Sequence, residues 1–356
     1  MSHATIRLPI GDPVALGYQF YAFPLAIQAT DERASDWILS NYIQLEYDER
    51  GWDTEVPLTF YLYDYALSPW LEVVRGTRAW YASADIVEVV RNALANGYYA
   101  YLVIDEYHIP NRRFFQVKHQ EHDILVHGVD DRTGTFTVLG FDEQMRFRST
   151  EVSQEDFGRA HHALDGERFQ NAPVVFYRPR AQPDFGYPPI RYDFNVELVR
   201  RTLHEYLHSI DTSRHFDMLR APRPCRYGMD VYQPLEQFVR EYAKRERPYD
   251  IRHLHILWEH KRMMTARVRR LADLIGSIAS LQDDARQIET DAMALRNVMM
   301  RDHLQNGRKG YLDNSLDLLD RVRDKETALL TEVIRRIDDA GPLAPAAAGL
   351  PPGTKH

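Results

Sequence analysis

Cysteine is nearly absent from this sequence of 356 residues, in which Cys225 stands alone. A single cysteine excludes a framework of intrachain disulfides and fits a reducing compartment, so we expect a cytoplasmic protein. Long apolar runs are also missing, and none approaches the roughly 20 residues that a membrane-spanning helix requires. The amino-terminal sequence MSHATIRLPIGDP lacks the apolar stretch of a secretory signal. These absences predict a protein with no membrane partner.

Positive charge is in short supply as well. The 44 basic side chains are outnumbered by 52 acidic ones, which gives a formal net charge of −8. Proteins that bind nucleic acid usually carry a basic surface, so the sequence predicts no nucleic-acid partner. Apolar residues make up 44% of the chain, enough for a sizeable core, and the length favours two domains.

Three strand-like runs follow one another in the first half of the chain. Tyr99–Asp105 is rich in aromatic and β-branched residues, while His122–Gly128 and Thr135–Phe141 are apolar and flank the turn sequence DDRTG. Two apolar runs joined by such a turn predict a β-hairpin. Because antiparallel strands place the start of one beside the end of the next, we expect His122 and Asp142 to meet at one rim of the sheet. There the carboxylate would orient the imidazole for general-base catalysis. The alternative is a purely structural hairpin.

The same stretch carries a family resemblance. The residues VIDEYHIP, HDILVHGVDD and GFD resemble the N-terminal domain of the butirosin-biosynthesis H protein family. That resemblance implies a papain-like fold, related to bacteriocin-processing cysteine peptidases, with an acyl-transfer site of Cys-His-Asp type. His122 falls on the catalytic histidine and Asp142 on its orienting acid. A weaker similarity, through YGMDVY and DIRHLHILWEHKRMM, links the later chain to relatives encoded near nonribosomal peptide assembly genes.

The sequence departs from the family pattern at the nucleophile. The family's cysteine lies at the start of the first buried helix, where the resemblance places Tyr21, with Gln19 just upstream. A phenol is a poor substitute for a thiolate at neutral pH. Tyr21 is therefore either a remnant of the site or an ordinary core residue. Cys225 lies in RPCRYG, which predicts a loop, although a distant cysteine can approach a histidine in space.

Asp105 and Tyr107 follow the end of the first of these strands. In the resembled family this segment edges the substrate cleft, so the resemblance implies that both residues contact substrate. Asp105 would bind an amine or support His122, and its alternative role is that of a strand-terminating acid. The other titratable side chains near the expected site are His119, His127, Asp130 and Asp131.

A literal H-E-x-x-H motif, His204-Glu205-Tyr206-Leu207-His208, lies on a predicted helix. This spacing places both imidazoles on one helical face, with the glutamate available to activate a zinc-bound water. Glu236 and Glu241 are the candidate third ligands, and the alternative is an amphipathic helix with two histidines near its polar border. A second histidine-rich segment, Asp250–Met264, favours a packing helix.

The pattern as a whole predicts an α+β protein. We expect a papain-like cysteine-peptidase-type domain over residues 1–180, a proline-rich linker over 181–192, an all-helical domain over 193–340 and a disordered tail over 341–356. Within the helical domain, long amphipathic patterns on both sides of the turn sequence NGRKG predict a long antiparallel helical hairpin.

The resemblance implies an acyltransferase of natural-product biosynthesis that forms an amide or ester. Its donor would be a thioester on an acyl or peptidyl carrier protein, and its acceptor a small amine or alcohol. The partner would carry the phosphopantetheine, so no cofactor of the chain's own is expected. Without a cysteine, His122 would act as a general base for direct attack on the thioester.

One alternative is a catalytically inactive scaffold that binds a carrier protein or assembly-line enzyme. Another is a zinc hydrolase built on His204, Glu205 and His208. A homodimer through the helical hairpin is a further expectation.

Overall fold

The computed structural model describes residues 5–50, 54–164, 166–180, 192–305, 312 and 314–341. The chain forms two compact units, residues 1–35 with 63–192 and residues 36–62 with 193–356. The segment 36–62, expected in the first domain, therefore belongs to the second unit. The predicted linker apart from Tyr192, the sequence NGRKG and the tail beyond Gly341 lie outside the described residues.

The secondary structure is α+β, as the sequence predicts. The strands, in chain order, are β1 (Thr5–Arg7), β2 (Leu45–Asp48), β3 (Leu58–Phe60), β4 (Leu71–Thr77), β5 (Tyr99–Asp105), β6 (Glu121–Asp130), β7 (Thr135–Phe141), β8 (Phe147–Ser153), β9 (Pro173–Pro179) and β10 (Cys225–Tyr227). The helices are α1 (Gln19–Gln28), α2 (Ala34–Asn41), α3 (Ile86–Ala95), α4 (Gln154–His162), α5 (Glu167–Gln170), α6 (Val196–Leu207), α7 (Tyr232–Ala243), α8 (Ile251–Leu274), α9 (Gln282–Leu304) and α10 (Ser315–Ala340). Across the described residues, every helix falls short of the length and apolar content that crossing a bilayer demands.

The first unit is organised by an antiparallel sheet. Among the described residues it has seven strands, in the order β4-β9-β5-β6-β7-β8, with β1 paired to β6. Successive side chains of a strand point to opposite faces. Ile124 and Val126 therefore join the apolar core that contains Ile86 of α3 and Phe157 of α4. Leu125 joins the opposite core, which contains residues of α1.

The predicted hairpin is confirmed by the pairing of β6 with β7. Leu125 lies opposite Leu139 and Asp130 opposite Thr135, with a register shift between Val126 and Gly128. The intervening turn ends on Gly134, whose φ of +66° is a conformation that glycine adopts without strain.

The second unit combines helices with a small sheet. In the described part of this unit, three antiparallel strands are ordered β10-β2-β3. The expectation of an all-helical domain is therefore wrong, because the RPCRYG sequence, predicted as a loop, contributes β10. Arg223, just before β10, donates to Glu46 of β2 across 2.5 Å.

Four helices of the second unit meet around a buried ion pair. Nζ of Lys261 on α8 lies 2.6 Å from both carboxylate oxygens of Glu326 on α10. The hydroxyl of Tyr232 on α7 donates to the same carboxylate at 2.7 Å, and that of Tyr206 on α6 lies 3.3 Å from it. All four side chains are buried. The ring of His260, stacked on Tyr206, donates to the backbone carbonyl of Ile43.

Candidate functional site

A glutamine on α1 contacts the predicted catalytic histidine. Gln19, the first residue of α1, is buried against the sheet, while His122 is the second residue of β6 and is half-buried. Nε2 of Gln19 lies 2.7 Å from Nδ1 of His122. The structure thus brings together two of the four residues that the sequence assigned to the catalytic site.

Two backbone groups fix the orientation of the Gln19 amide. Its Oε1 accepts from the N–H of Phe141 at 3.0 Å, and its Nε2 donates to the carbonyl of Asp123 at 2.8 Å. A reversed amide would set donor against donor and acceptor against acceptor. The second N–H of Gln19 therefore points at Nδ1 of His122, which accepts it at 2.7 Å, a much shorter contact than the 3.4 Å from Nδ1 to the carbonyl of Asp123. This hydrogen bond favours the neutral tautomer of His122 with its proton on Nε2.

Asp142 lies at the end of β7 but does not orient His122. Its Oδ2 accepts from Nε of Arg148 at 2.5 Å and Nε of Arg146 at 3.0 Å, and its Oδ1 from the N–H groups of Gln144 and Arg146. Burial alone would raise the pKa of Asp142, but these hydrogen bonds outweigh it and hold the pKa well below the ordinary value. Among the described residues, no hydrogen bond joins Asp142 to His122.

The end of the β6–β7 ladder explains this separation. The pairing reaches Leu125 opposite Leu139 and stops there. Continued in the same register, it would set His122 opposite Asp142, as the sequence predicts. Instead the chain turns at Met145, whose φ is +59°, and the carboxylate of Asp142 closes that turn.

Tyr21, at the nucleophile position of the resembled family, is fully buried. Its ring lies 5.3 Å from that of Phe20 and 5.8 Å from those of Tyr18 and Tyr65. An aromatic ring inside such a cluster contributes packing energy. The location favours the core interpretation of Tyr21 over that of a catalytic remnant.

Asp105 supports a histidine, although not His122. Its Oδ2 lies 2.6 Å from Nδ1 of His119, and its Oδ1 accepts from the N–H groups of Tyr107 and Gln120. Burial acts to raise the pKa of Asp105, but the hydrogen bonds from His119 and the two N–H groups lower it overall. The ring of Tyr107 stacks on His119 at 4.4 Å.

Two charged residues near the Gln19–His122 pair escape prediction from the sequence. Arg112 is buried in the loop after β5 and donates to the carbonyl of Phe141 at 2.5 Å. Burial lowers its pKa to about 10. Burial also raises the pKa of Glu106, against the opposing positive charge of Arg112. Charged residues in a loop are ordinarily solvated, so only coordinates reveal them as buried.

Gly140 leaves room for the side chains of Gln19 and Arg112, because it has no Cβ atom. A Cβ atom at this position would lie 2.6 Å from Oε1 of Gln19 and 2.7 Å from Nη1 of Arg112, both well inside van der Waals contact. Any side chain here would displace the amide that holds His122. The sequence indicates only a glycine within an apolar strand, a pattern typical of a bulge or of a close approach.

The H-E-x-x-H motif does not collect three metal ligands. His204 and His208 are exposed, with ring centroids 4.4 Å apart, but Glu205 is buried and its carboxylate accepts from Thr212 and contacts His215. The candidate third ligands are engaged elsewhere: Glu236 with Arg240 and Glu241 with Gln237. Within the described residues, only one group of three His, Cys, Asp or Glu side chains has potential metal-ligand atoms that all lie within 4.8 Å of one another. This group is Asp105, His108 and His119.

Cys225 lies in β10 of the second unit and is partly buried. Burial, reinforced by the negative charge of Glu46, raises the pKa of its thiol to about 12. A thiol with such a pKa is neutral at physiological pH and is a weak nucleophile. Its environment therefore does not favour covalent catalysis.

Fold and site together define an α+β protein with a half-buried histidine held by a glutamine at the edge of an antiparallel sheet. No family model matches the chain, and comparison with curated proteins finds no match either.

Proposed function

We propose that the first unit binds an acyl or peptidyl carrier protein and is a catalytically silent relative of papain-like acyl-transfer domains. The observation that carries this proposal is the carboxylate of Asp142, which binds Arg146 and Arg148 instead of the imidazole. The burial of Tyr21 supports the same conclusion. The papain-like part of the proposal is supported by a buried helix, α1, whose first residue contacts the histidine on the sheet.

A basic rim beside the Gln19–His122 pair is a suitable surface for such a partner. Two loop segments meet here through the hydrogen bond from the N–H of Glu143 to the carbonyl of Asn111. The rim comprises the exposed side chains of Arg113, Lys118, Arg146 and Arg148. Exposed Val117 and Met145 add apolar area. Arg146 and Arg148 share the carboxylate of Asp142, so the positive charge of the rim comes mainly from Arg113 and Lys118. In a chain of net charge −8, this local charge favours an anionic partner, such as the phosphate and acidic surface of a holo-carrier protein.

Charge reversal on the rim tests the proposal. Arg113 and Lys118 each lie over the ring of Phe114 and take no part in a salt bridge within the described residues, so Arg113→Glu/Lys118→Glu leaves the ion pairs of the fold intact. The matched control is Arg7→Glu/Lys244→Glu, which changes charge equally at exposed positions off the rim that take no part in a salt bridge within the described residues. Binding would be measured by calorimetry against several purified holo-carrier proteins, with coenzyme A as a probe for the phosphopantetheine alone.

We expect the rim variant to bind holo-carrier protein at least tenfold more weakly, and the control variant to bind like the wild type. The effect should shrink with added salt, because exposed charges are screened. Absence of carrier binding by the wild type, or equal weakening in both variants, would contradict the proposal.

Acyl transfer remains a second candidate because the hydrogen bond between Gln19 and His122 is intact at 2.7 Å. In the favoured tautomer, Nε2–H of His122 would donate to the thioester carbonyl and stabilise the negative charge that develops there. The amine or alcohol would add to the carbonyl carbon, the C–S bond would break, and the departing thiolate of phosphopantetheine would take up the proton. Product formation from an acyl-carrier protein, lost in His122→Ala, would favour this candidate over the silent scaffold.

We further propose that α9 and α10 form the antiparallel pair expected from the sequence. Lys325 of α10 contacts Asp291 of α9 at 2.8 Å, and Arg336, later on α10, contacts Ser280, which precedes α9. The later residue of α10 thus contacts the earlier position beside α9, which supports an antiparallel arrangement of the two helices. Dimerisation through this pair remains a prediction, which light scattering of the purified protein would test.

A further inference from the structure

Three potential metal ligands converge at the end of β5. Asp105 is its last residue, His108 closes the short 3₁₀ helix that follows, and His119 lies at the far end of the same loop, just before β6. Their ligand atoms all lie within 4.8 Å of one another. They form a group distinct from the Gln19–His122 pair and from the H-E-x-x-H motif.

Asp105 is prepared for such a role by its hydrogen bonds. Oδ1 accepts from two backbone N–H groups, those of Tyr107 at 3.1 Å and Gln120 at 3.0 Å. Those bonds fix the carboxylate and leave Oδ2 directed at His119. Metal-binding carboxylates are typically oriented by such supporting hydrogen bonds, which restrict their motion before the ion arrives.

The loop that carries the two histidines is closed at its base. The N–H of Glu106 donates to the carbonyl of Gln120 at 2.9 Å, and the N–H of Gln116 to that of Tyr107 at 3.1 Å. Tyr107 stacks on the ring of His119 and also contacts that of His108 edge-on. The imidazoles are thus held near Asp105 by backbone and ring contacts that do not occupy all of their nitrogen atoms.

We propose that Asp105, His108 and His119 bind a divalent first-row transition-metal ion, for which zinc is the best match. Two imidazoles and one carboxylate are a common donor set for zinc, whose ligand distances of about 2.0–2.2 Å require donors roughly 3–4 Å apart. Because the side chain of His119 is 70% exposed, modest rotation brings its nitrogen into that range. The exposed side of the ion would take water as the fourth ligand. The ion would replace the present hydrogen bond between Nδ1 of His119 and Oδ2 of Asp105.

A bound ion would also restrict the motion of the basic rim. The loop between His108 and His119 carries Arg113 and Lys118, so a bound ion would cross-link the ends of the segment that presents them. This consequence is separable from the metal site itself, which does not depend on the proposed carrier-protein binding.

Metal titration of the full-length protein tests the inference. The protein would be stripped with a chelator, and Zn²⁺ binding measured by calorimetry, with Co²⁺ absorption reporting the coordination geometry. The informative variants are His119→Ala and His108→Ala, at exposed and half-buried positions. Asp105→Asn keeps the acceptor for the backbone N–H groups but removes the charge. His162→Ala is the control for an unrelated exposed histidine of the same unit, and His204→Ala/His208→Ala removes the competing motif.

We expect one equivalent of Zn²⁺ in the wild type and in both control variants. Loss of either histidine should weaken binding at least tenfold, with an unchanged thermal unfolding midpoint of the metal-free protein. A bound ion should also slow amide hydrogen exchange in residues 106–120. Three results would overturn the inference: no stoichiometric binding by the wild type, binding that survives both single histidine variants, or binding lost only in His204→Ala/His208→Ala.

Discussion

Nε2 of Gln19 lies 2.7 Å from Nδ1 of His122 and links α1 to β6 across 103 residues of sequence. The same amide also binds the backbone on both strands of the hairpin, at Asp123 of β6 and Phe141 of β7. One side chain therefore fixes the helix, the two strands and the tautomer of the histidine. In a Cys-His-Asp site a carboxylate orients the histidine, and here a neutral amide makes that contact.

Replacement of Gln19 by alanine should cost about 1–3 kcal/mol of the free energy of unfolding, because the N–H of Phe141 and the carbonyl of Asp123 lose a buried partner. It should also release His122 from the tautomer with a proton on Nε2. Urea denaturation measures the first effect, and nitrogen chemical shifts of the His122 ring measure the second. Gly140→Ala is a second route to the same change, because its Cβ would displace the Gln19 amide.

The matched control for the glycine variant is Gly134→Ala. Gly134 also has positive φ, but no atom lies within 4 Å of a Cβ added there. Its backbone strain should cost stability without changing the tautomer of His122. An unchanged His122 ring in both Gln19→Ala and Gly140→Ala would show that the amide does not set the tautomer.

The hairpin of the first unit could be predicted from sequence because its signals are local. Apolar runs set the strands of the β6–β7 hairpin, and DDRTG sets the turn between them. The S-x-x-D sequence that starts at Ser153 is a similarly local signal for a helix start, and the Ser153 hydroxyl accepts from the N–H of Asp156 at the start of α4. Each of these features depends on residues that are close in the chain.

The contacts of the candidate site could not be predicted in the same way. Strand register places Asp142 opposite His122 only if the ladder continues past Leu125, and a nearby pair of arginines offers the carboxylate stronger hydrogen bonds. Gln19 reaches His122 because α1 packs on the sheet, a tertiary arrangement that no local spacing encodes. The β10 strand could not be predicted from local sequence either, because its three residues form a strand only through pairing with β2.

Asp142 should stabilise the fold most at neutral pH and lose that effect in acid. Its pKa is lowered in the folded state, so the unfolded chain binds more protons as the pH falls below the ordinary aspartate pKa of about 3.9. Asp142→Asn should therefore be less stable than the wild type by about 1–3 kcal/mol at pH 7. The difference should shrink below pH 4, as followed by urea denaturation across a pH series.

The effect of Asp142→Asn on any activity should follow its effect on folding. An orienting acid would instead lower activity while leaving the unfolding free energy unchanged. That second result would return Asp142 to the role that the family resemblance implies.

Glu46 should impose the opposite dependence on pH in the second unit. Burial raises its pKa to about 7, despite the nearby charge of Arg223. Between the ordinary pKa of about 4.3 and pH 7, the folded state therefore binds more protons than the unfolded state. The stability contributed by this group must fall as the pH rises through that window, by an amount on the order of 3 kcal/mol.

Glu46→Gln should remove this dependence, because an amide does not titrate, and should make the protein relatively more stable above pH 7. Glu49→Gln is the control, since Glu49 is exposed on the same segment. Parallel curves of unfolding free energy against pH for the wild type and Glu46→Gln would contradict the raised pKa.

Mutation of the buried pair Lys261 and Glu326 should separate the cost of leaving one charge without its partner from the cost of removing both charges. Lys261→Met leaves the buried carboxylate of Glu326 without its cation, while the hydroxyls of Tyr206 and Tyr232 still bind it. We expect a loss of about 3–5 kcal/mol in the free energy of unfolding. The double variant Lys261→Met/Glu326→Leu removes both charges and should recover much of that loss.

An exposed pair on the same helix provides the comparison. Arg335 and Glu332 of α10 lie 2.6 Å apart at the surface, so Arg335→Met should change stability by less than about 1 kcal/mol. Denaturant unfolding of the four proteins compares the two environments directly. If Lys261→Met cost no more than Arg335→Met, solvent must reach Glu326. If instead the double variant were as unstable as Lys261→Met, the two tyrosine hydroxyls would need the carboxylate as their acceptor, and the network would be held by hydrogen bonds more than by charge.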